Sequence, residues 1–380
     1  MGTGQLLRAR GCAATILAAI ALATPTHASS LAEELQRASM TGNLANALVT
    51  RLVRTAVRGA DFPATATTPS FTYEFNPETG TFERSSLSLG PAFAERAETV
   101  GRGRFDIGVV YLFANFKTLD GNSLEGSRLG PETLELPKSG AIITQQATFS
   151  KFTLASHVAS LNATYGLTDR WDINLLLPIV STSLDAAGRS TTQIAGNVGG
   201  ISSQFEVDDS AFGVGDVLLR TKYHVADTSL AKLAVGLTAR LPTGRKEDFQ
   251  GLGDFVLTPL FVASRTLGRH DIHVNLGFDV NTDDPQRDRV RYAVGATLQL
   301  TDRIALLMDI IGSSGVAADT FTDQSGHQDE VPRSDDVFAA PSIKFELYGS
   351  VVAFVGAIIP LTSNGLQANV LPAGGIEVTL

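Results

Sequence analysis

The sequence predicts an all-β protein, a transmembrane antiparallel β-barrel of about twelve strands that follows a partly helical N-terminal region. Three observations predict it. Segments of alternating hydrophobicity recur from residue 104 to the end of the chain. The connections between these segments are alternately long and short. The chain also begins like an exported protein and keeps no cysteine after its leader.

Residues 1–28 have the features of a secretory signal peptide. Arg8 and Arg10 precede an apolar run over 12–23, and small residues lead to the cleavage site. The run is too short for a membrane-spanning helix. Cys12 lies at the start of the run, whereas a lipidated cysteine would lie at its end. Cleavage removes this only cysteine, so the mature chain cannot form disulfides.

The composition excludes some classes of partner. Cleavage removes two arginines and no acidic residue, so the formal charge falls from −9 to −11. This net acidity argues against binding to nucleic acid. After the leader, no uninterrupted apolar stretch reaches the roughly 18 residues expected of a spanning helix.

Residues 29–103 are expected to form an N-terminal region separate from the barrel. A helix is predicted over 29–60, where Ser30 and Glu33 match a capping box and leucines recur at helical spacing. A small hairpin is predicted within 71–86, around an Asn-Pro-Glu-Thr-Gly turn. Two arrangements fit residues 29–60: a plug inside the barrel, or a helix that docks beneath it in the periplasm. Residues 93–104 could be a gating element just before the barrel or a plain linker.

The barrel is expected to occupy residues 104–380. Its strand candidates are 104–118, 151–166, 171–184, 212–226, 231–243, 254–266, 271–281, 289–300, 303–313, 336–347, 350–362 and 369–380. Every second connection between these candidates, starting with the one after 151–166, is a tight turn such as LTDR or YGS. The longest of the others are 119–150, 185–211 and 314–335. Long loops at one end and tight turns at the other are typical of outer-membrane barrels.

The strand faces predict which side meets lipid. In GLTDRWDINLLLPIVST, Trp171, Ile173 and Leu175 share one parity, while Asp172 and Asn174 share the other. A soluble barrel of about twelve strands would have an interior too wide for its side chains to fill, because side chains fill the interior well at about eight strands. The apolar face is therefore expected to face lipid and the polar face the lumen. Trp171 would then lie at the periplasmic interface.

The polar parity supplies a set of candidate pore-lining residues. They are Asp172, Asp216, Arg220, Lys222, His224, Lys232, Arg240, Asp271, His273, Asp279, Arg289, Arg291, Asp309, Lys344 and Glu346. Their mixed charge could set solute selectivity. The alternative is a salt-bridge network that holds the barrel in shape.

No metal, cofactor or catalytic site is expected. His224 and His273 lie on strands that are not consecutive, and neither has a second ligand at metal spacing. A barrel hydrolase would need a nucleophile beside a base. His157 and Ser160 are three residues apart, so on a strand they point to opposite faces. The chain is therefore not expected to be an enzyme.

Several motifs resemble one known family. Residues 93–97, FAERA, and 101–105, GRGRF, look like the outer-membrane transporter family of the MetA pathway of phenol degradation. Residues 166–182 and 213–223 are also similar to it, and the resemblance covers most of 70–380. It implies a channel for small hydrophobic or aromatic compounds. More distantly, it suggests the FadL-like channels, in which an N-terminal segment plugs the pore.

The expected function is passive uptake of a small, hydrophobic or aromatic solute through a Gram-negative outer membrane. The signal peptide would export the chain. The expected partners are the lipid bilayer with its lipopolysaccharide, the barrel-assembly machinery and the small-molecule solute. The alternative is a non-conducting barrel, structural or surface-binding, whose long loops do its work.

Overall fold

The computed structural model describes most of the barrel and parts of the region before it. The described residues are 29–39, 66–67, 70–76, 81–84, 88–126, 128–135, 142–194, 200–322, 328–331 and 333–380. The expected signal peptide at 1–28 lies outside them, as does the part of the expected N-terminal helix beyond residue 39.

The described residues form one α-helix, α1 (Leu31–Ser39), two short 3-10 helices (Lys246–Asp248 and Pro285–Arg287) and many strands. The strands are β1 Tyr73–Asn76, β2 Thr81–Arg84, β3 Phe105–Leu119, β4 Asn122–Ser123, β5 Arg128–Glu135, β6 Ile142–Thr168, β7 Trp171–Ile194, β8 Ile201–Val214, β9 Val217–Asp227, β10 Lys232–Leu241, β11 Val256–Leu267, β12 His270–Asn281, β13 Arg289–Thr301, β14 Ile304–Gly315, β15 Asp319–Thr322, β16 Gln328–Val331, β17 Asp335–Tyr348, β18 Val351–Pro360, β19 Leu366–Ala368 and β20 Leu371–Thr379. No helix among the described residues has the length and apolar character needed to cross a membrane.

The large sheet closes into an antiparallel barrel of twelve strands, which confirms the predicted fold. β8 and β9 together make one barrel strand, and so do β19 and β20. The barrel closes because β3 pairs with β6 on one side and with β20 on the other. Within this closed ring each strand is paired on both sides, so its backbone donors and acceptors do not have to face lipid.

The two ends of the barrel differ, as predicted. Five short connections, at 169–170, 228–231, 268–269, 302–303 and 349–350, lie at one end, which we call the turn end. Gly268 and Gly349 have positive φ there, which a glycine adopts at little cost in so tight a turn. The opposite end, with the longer connections, is the loop end.

The apolar parity faces outward, also as predicted. On β12, Ile272, Val274 and Leu276 are exposed while Asp271 and His273 are buried. Trp171 is exposed at the turn end of β7. Outward apolar side chains around a closed sheet are the arrangement that a bilayer stabilises.

The prediction that residues 119–150, 185–211 and 314–335 form loops was wrong in large part. β6 begins at Ile142 rather than near 151, β7 continues to Ile194, and β8 begins at Ile201. A separate hairpin, β15 and β16, forms within 314–335. These parts of the sheet extend beyond the apolar outer band, so their sequence carries no lipid-facing alternation. Cross-strand backbone pairing forms them, and polar residues such as those at 189–193 gave no strand signal.

The N-terminal elements agree with the predictions where they are described. In the capping box of α1, Ser30 N donates to Glu33 Oε2 (2.9 Å) and Glu33 N donates to Ser30 Oγ (3.2 Å). The helix contacts β7 and β8, and Leu31 N donates to Asp248 Oδ1 (2.9 Å) in the connection after β10. The helix therefore lies at the loop end. β1 and β2 pair as the predicted hairpin.

Candidate functional site: the barrel lumen

Residues 88–100, which we call the luminal segment, lie against the inward side chains of the turn half of the barrel. Ala92 N and Phe93 N both donate to Asp309 Oδ2, at 3.2 and 3.0 Å. The segment lies so close to the wall that a Cβ on Gly295 would be 2.8 Å from Ala94 Cβ. Only a glycine at this position on β13 leaves room for the segment.

Further peptide N–H groups of the luminal segment are satisfied by wall side chains. Glu95 N donates to Asn275 Oδ1 (2.7 Å), and Asn275 Nδ2 donates back to Glu95 O (2.8 Å). Ala97 N donates to Ser264 Oγ (2.9 Å). Val100 N donates to Asp172 Oδ2 (3.0 Å). A buried peptide chain without these partners would carry unsatisfied polar groups, so the wall fixes its register.

Lysine and histidine side chains of the wall contact the carbonyl groups of the same segment. Lys344 Nζ donates to Pro91 O (2.7 Å) and to Leu89 O (3.1 Å). Lys222 Nζ donates to Arg96 O (2.9 Å). His224 Nδ1 lies 3.1 Å from Ala97 O. The wall thus presents acceptors to the N–H groups of the segment and donors to its C=O groups.

Glu95 is the centre of a buried polar cluster. Its carboxylate accepts from Thr67 N and Thr67 Oγ1, both at 2.7 Å. Lys222 Nζ lies 3.4 Å away and Arg220 Nη1 3.9 Å away. Arg220 Nε also donates to Asn174 Oδ1 (2.7 Å). Buried charges of this kind are tolerated only when they are paired and hydrogen-bonded.

Glu98, on the segment and outside the barrel strands, is held in its charged form. Burial by itself would raise the pKa of this carboxyl group. The positive charges of Arg96 and Lys232 outweigh burial and lower the pKa from 4.5 to about 2. Lys232 Nζ lies 3.3 Å from Glu98 Oε1. The segment is therefore anchored by an ion pair at neutral pH.

The fifteen candidate pore-lining residues divide into two groups and one outlier. Nine lie in the turn half, around the luminal segment: Asp172, Arg220, Lys222, His224, Lys232, Asp271, His273, Asp309 and Lys344. Five lie toward the loop end: Asp216, Arg240, Asp279, Arg289 and Arg291. Glu346 is half-buried near the turn end.

The loop-end group holds the connections together rather than the luminal segment. Asp216 accepts from Leu252 N (2.7 Å) and Gly244 N (3.0 Å), which ties down the connection after β10. Arg291 Nε donates to Asp279 Oδ2 (2.6 Å). These contacts correspond to the salt-bridge alternative considered from the sequence.

Sequence reasoning missed an apolar inward surface in the loop half, which β3, β6, β7, β8 and β18 form. Its buried side chains include Leu112, Phe116, Phe152, Leu154, Leu184, Phe205 and Ile358. Phe149 packs edge-to-face on Phe152 and on Phe205, with ring centroids 5.2 and 5.5 Å apart. Leu31 and Leu35 of α1 join this cluster. The signal in the sequence was the poor alternation of 151–166 and 350–362, where both parities are apolar.

The luminal segment packs closely on the wall of the turn half. A cavity of about 20 Å³ lies between the segment and the wall, with Pro91, Gly108, Lys344 and Glu377 among its lining residues. This volume holds roughly one water molecule. Residues 88–100 therefore occupy part of the lumen in the turn half.

Among the described residues, no three His, Cys, Asp or Glu side chains form a group suited to a metal ion. His157 is exposed on the outer face, where its Nδ1 lies 2.6 Å from Tyr111 Oη. Ser160 shares the parity of buried Asn162, so the two point to opposite faces as predicted.

A closed barrel with an apolar outer face and buried polar side chains in its lumen defines the class of outer-membrane β-barrels. Comparison with family models then identifies the family. The model described as "Putative MetA-pathway of phenol degradation" matches residues 130–347, more than half of the chain. The chain belongs to this family, in agreement with the resemblance found in the sequence.

Three solved structures of low sequence identity are similar to this chain. An outer-membrane channel from Pseudomonas putida F1 is 14% identical, covers 75% of this chain and 98% of its own, and has a TM-score of 0.48. A FadL homologue from Pseudomonas aeruginosa is 7% identical over 73% and 89%, with a TM-score of 0.31. The monoaromatic hydrocarbon channel CymD is 8% identical over 74% and 89%, with a TM-score of 0.35. No curated protein matches the sequence.

Proposed function

We propose that the protein is an outer-membrane channel for passive uptake of small hydrophobic or aromatic solutes, and that its N-terminal region is the plug. The observation that carries the proposal is the apolar, aromatic inner surface of the loop half. A pore for sugars or ions would be lined by polar groups, because removing their hydration shells is costly. A phenolic compound, as in the description of the family, has the size and surface that such a lining suits.

The proposed orientation places the turn end in the periplasm, because short turns face the periplasm in this class. A solute arriving from outside would then meet the apolar loop half first. The signal peptide, the assembly machinery and contacts with lipopolysaccharide belong to the same proposal. No step of it requires energy or a chemical change in the solute.

The luminal segment supports the plug arrangement over a helix docked in the periplasm. Its peptide groups bond to Asp309, Asn275, Ser264 and Asp172, all of them inward side chains of the wall. Passage would require this segment to leave or shift. The wall side chains that it releases are polar, so water could replace the segment at a moderate cost.

Single-channel conductance tests the plug. Three forms would be compared in a planar bilayer: the mature chain, a form lacking 29–60, and a form lacking 29–100. We expect the first two to be silent, because both keep the luminal segment, and the third to conduct. Conductance from the mature chain equal to that of the shortest form would contradict the proposal. The shift in gel mobility on heating checks that each barrel is folded.

The second candidate is a non-conducting structural barrel, and the hydrogen bonds that hold the luminal segment inside the turn half favour it. The same experiment separates the two functions. If all three forms are silent and each still shows the heat-dependent gel shift, the barrel is structural and the channel proposal is wrong.

Solute class is tested by binding. We would measure binding of naphthalene, and of arabinose as the polar control, to the full-length protein in lipid nanodiscs. Phe205→Ser places a hydroxyl in the aromatic cluster and should weaken naphthalene binding by about fivefold or more, since a buried aromatic ring contributes a kcal/mol or more. Phe212→Ser, on the same strand but facing outward, is the matched control. Equal effects of the two substitutions would place the solute elsewhere.

A further inference from the structure

We infer that the outer wall carries a site for one anionic phospholipid of the leaflet at the turn end. The inference rests on the membrane location and orientation proposed above. A groove of about 580 Å³ crosses the outward face of β12, β13, β14 and β17. Its acyl-binding part is apolar, and two arginines lie on the turns beside its lower end.

Two rows of outward side chains form the walls of the groove. In one row, Ile272 pairs with Ala296 and Ala296 pairs with Met308. In the other row, Leu298 pairs with Leu306. Ala296 has the smallest side chain of its row, so the groove is deepest at its middle. The exposed fractions of Ile272, Leu306 and Met308 are 41%, 42% and 45%, as expected of side chains that meet lipid.

The groove rises from the turn end into the wall. The line of paired residues beneath it runs from Asp271 through Thr297 and Leu307 to Ser342. Asp271 is the second residue of β12, directly after the turn, whereas Ser342 lies six residues before the turn-end limit of β17 at Tyr348. Four neighbouring strands span roughly 14 Å at about 4.8 Å spacing. An acyl chain in this groove would have its glycerol end at the turns and its methyl end in the hydrocarbon region.

Cationic side chains lie where the headgroup would be. Arg269 is in the β11–β12 turn, and its Nη1 donates to Leu300 O (3.1 Å), so its guanidinium reaches across β12 to β13. Arg303 is in the next short turn, between β13 and β14. Both side chains are exposed. Guanidinium groups bind phosphate in a bidentate manner. Two of them beside one apolar groove favour a lipid with net negative charge over a zwitterionic one.

Native mass spectrometry of the full mature chain tests the site. The protein would be folded in mixed micelles that contain equal amounts of phosphatidylglycerol and phosphatidylcholine. We expect phosphatidylglycerol to be retained preferentially, by about fivefold for each arginine that contributes. The double variant Arg269→Gln/Arg303→Gln should bring the ratio of the two lipids close to one. Arg170→Gln, in the β6–β7 turn, is the control and should leave the ratio unchanged.

A second variant tests the groove itself. Ala296→Trp should fill the groove and reduce retention of both lipids by at least about fivefold. Ala163→Trp, which faces outward on β6 across the barrel, is its matched control. Equal retention of the two lipids by the wild type, or equal effects of variant and control, would overturn the inference. The arginine variants change only exposed turn residues, so the test stands even if Ala296→Trp does not fold.

Failure of this inference differs from failure of the channel proposal. Lipid retention is read without any ion or solute flow. Loss of lipid preference with conductance still released by removal of 29–100 would contradict the lipid site alone. A silent barrel that still retains phosphatidylglycerol would contradict the channel alone.

Discussion

The two halves of the lumen hold the N-terminal region by different physical means. In the turn half, charged and amide side chains bond to the backbone of the luminal segment, as Asp309 and Asn275 do. In the loop half, α1 is held largely by apolar packing of Leu31 and Leu35 on a cluster that includes Phe205. The turn half therefore fixes the position of each peptide group. The loop half requires mainly that the surface packed on it is apolar.

This difference bears on the proposed function, in which closure and solute uptake occur in one barrel. Hydrogen bonds have direction, so the turn half accepts one register of one segment. Apolar contact has no direction and is roughly proportional to buried area. In the proposed channel, an apolar solute would therefore replace part of α1 on the aromatic cluster and would not replace the luminal segment on Asp309.

The largest effect is expected from a charge in the apolar half. Leu35→Asp removes a leucine with an exposed fraction of 1% and places a carboxylate beside aromatic rings. The loss should be about 4 kcal/mol of α1 attachment, enough to detach the helix. Hydrogen exchange should accelerate over 31–39 and stay unchanged over 88–100. Arg37→Gln, on the exposed side of α1, is the control, and faster exchange in both regions would show that the halves are coupled.

The turn half should respond most to loss of Asp309. Asp309→Ala leaves the N–H groups of Ala92 and Phe93 without their acceptor. A buried N–H group left without its acceptor costs about 1–3 kcal/mol, so exchange of these two amides should rise by up to about a hundredfold. Asp279→Ala removes the same side chain from the loop-end group and should leave both amides protected. Unchanged protection in Asp309→Ala would contradict the assigned anchor.

Loss of Asn275, a neutral side chain that holds the luminal segment, should increase amide exchange by a smaller factor. Asn275→Ala removes two hydrogen bonds to Glu95, which contribute about 1 kcal/mol each. Exchange of the Glu95 amide should rise roughly thirtyfold. Asn364→Ala, which loses one amide bond to Asp335 O at the loop end, is the matched control. If both variants exchange alike, the reciprocal pair at Asn275 does not hold the segment.

The smallest effect is expected at Glu98 and depends on pH. Its pKa in the folded protein is about 2, below the ordinary 4.5, so its ionised form stabilises the fold above pH 4.5. That contribution is lost as pH falls from 4.5 to 2. The melting temperature of Glu98→Gln should be below that of the wild type at pH 5, and the difference should shrink toward pH 2. A difference in melting temperature that is constant with pH would show that the ion pair between Glu98 and Lys232 does not stabilise the fold.

The sequence predicted the barrel well where the lumen is polar. On β12 and β13, inward charges alternate with outward aliphatic residues, so parity and strand limits could be seen directly. It predicted β6 and β18 poorly because Phe152, Leu154 and Ile358 point inward and remove the contrast between faces. Alternation reports a difference between two environments, and a strand with lipid on one side and an apolar lumen on the other shows none.

The luminal segment could not be located from the sequence for another reason. Most of the bonds that the wall makes to it go to its backbone, and a backbone carries no sequence signal. The wall residues that bind it include Asn275 and Ser264, neutral side chains that a search among charges passes over. Glycines such as Gly295 marked the close approach, but many glycines on strands have other causes.

The most direct test of the account is single-channel conductance of the full mature chain with either one half or both halves released. The variants are Leu35→Asp alone and Leu35→Asp combined with Asp309→Ala and Asn275→Ala. The account predicts that the wild type and Leu35→Asp are silent, because the luminal segment still fills the turn half, and that the triple variant conducts. Conductance from Leu35→Asp equal to that of the triple variant, or silence from a triple variant whose gel mobility still shifts on heating, would contradict it.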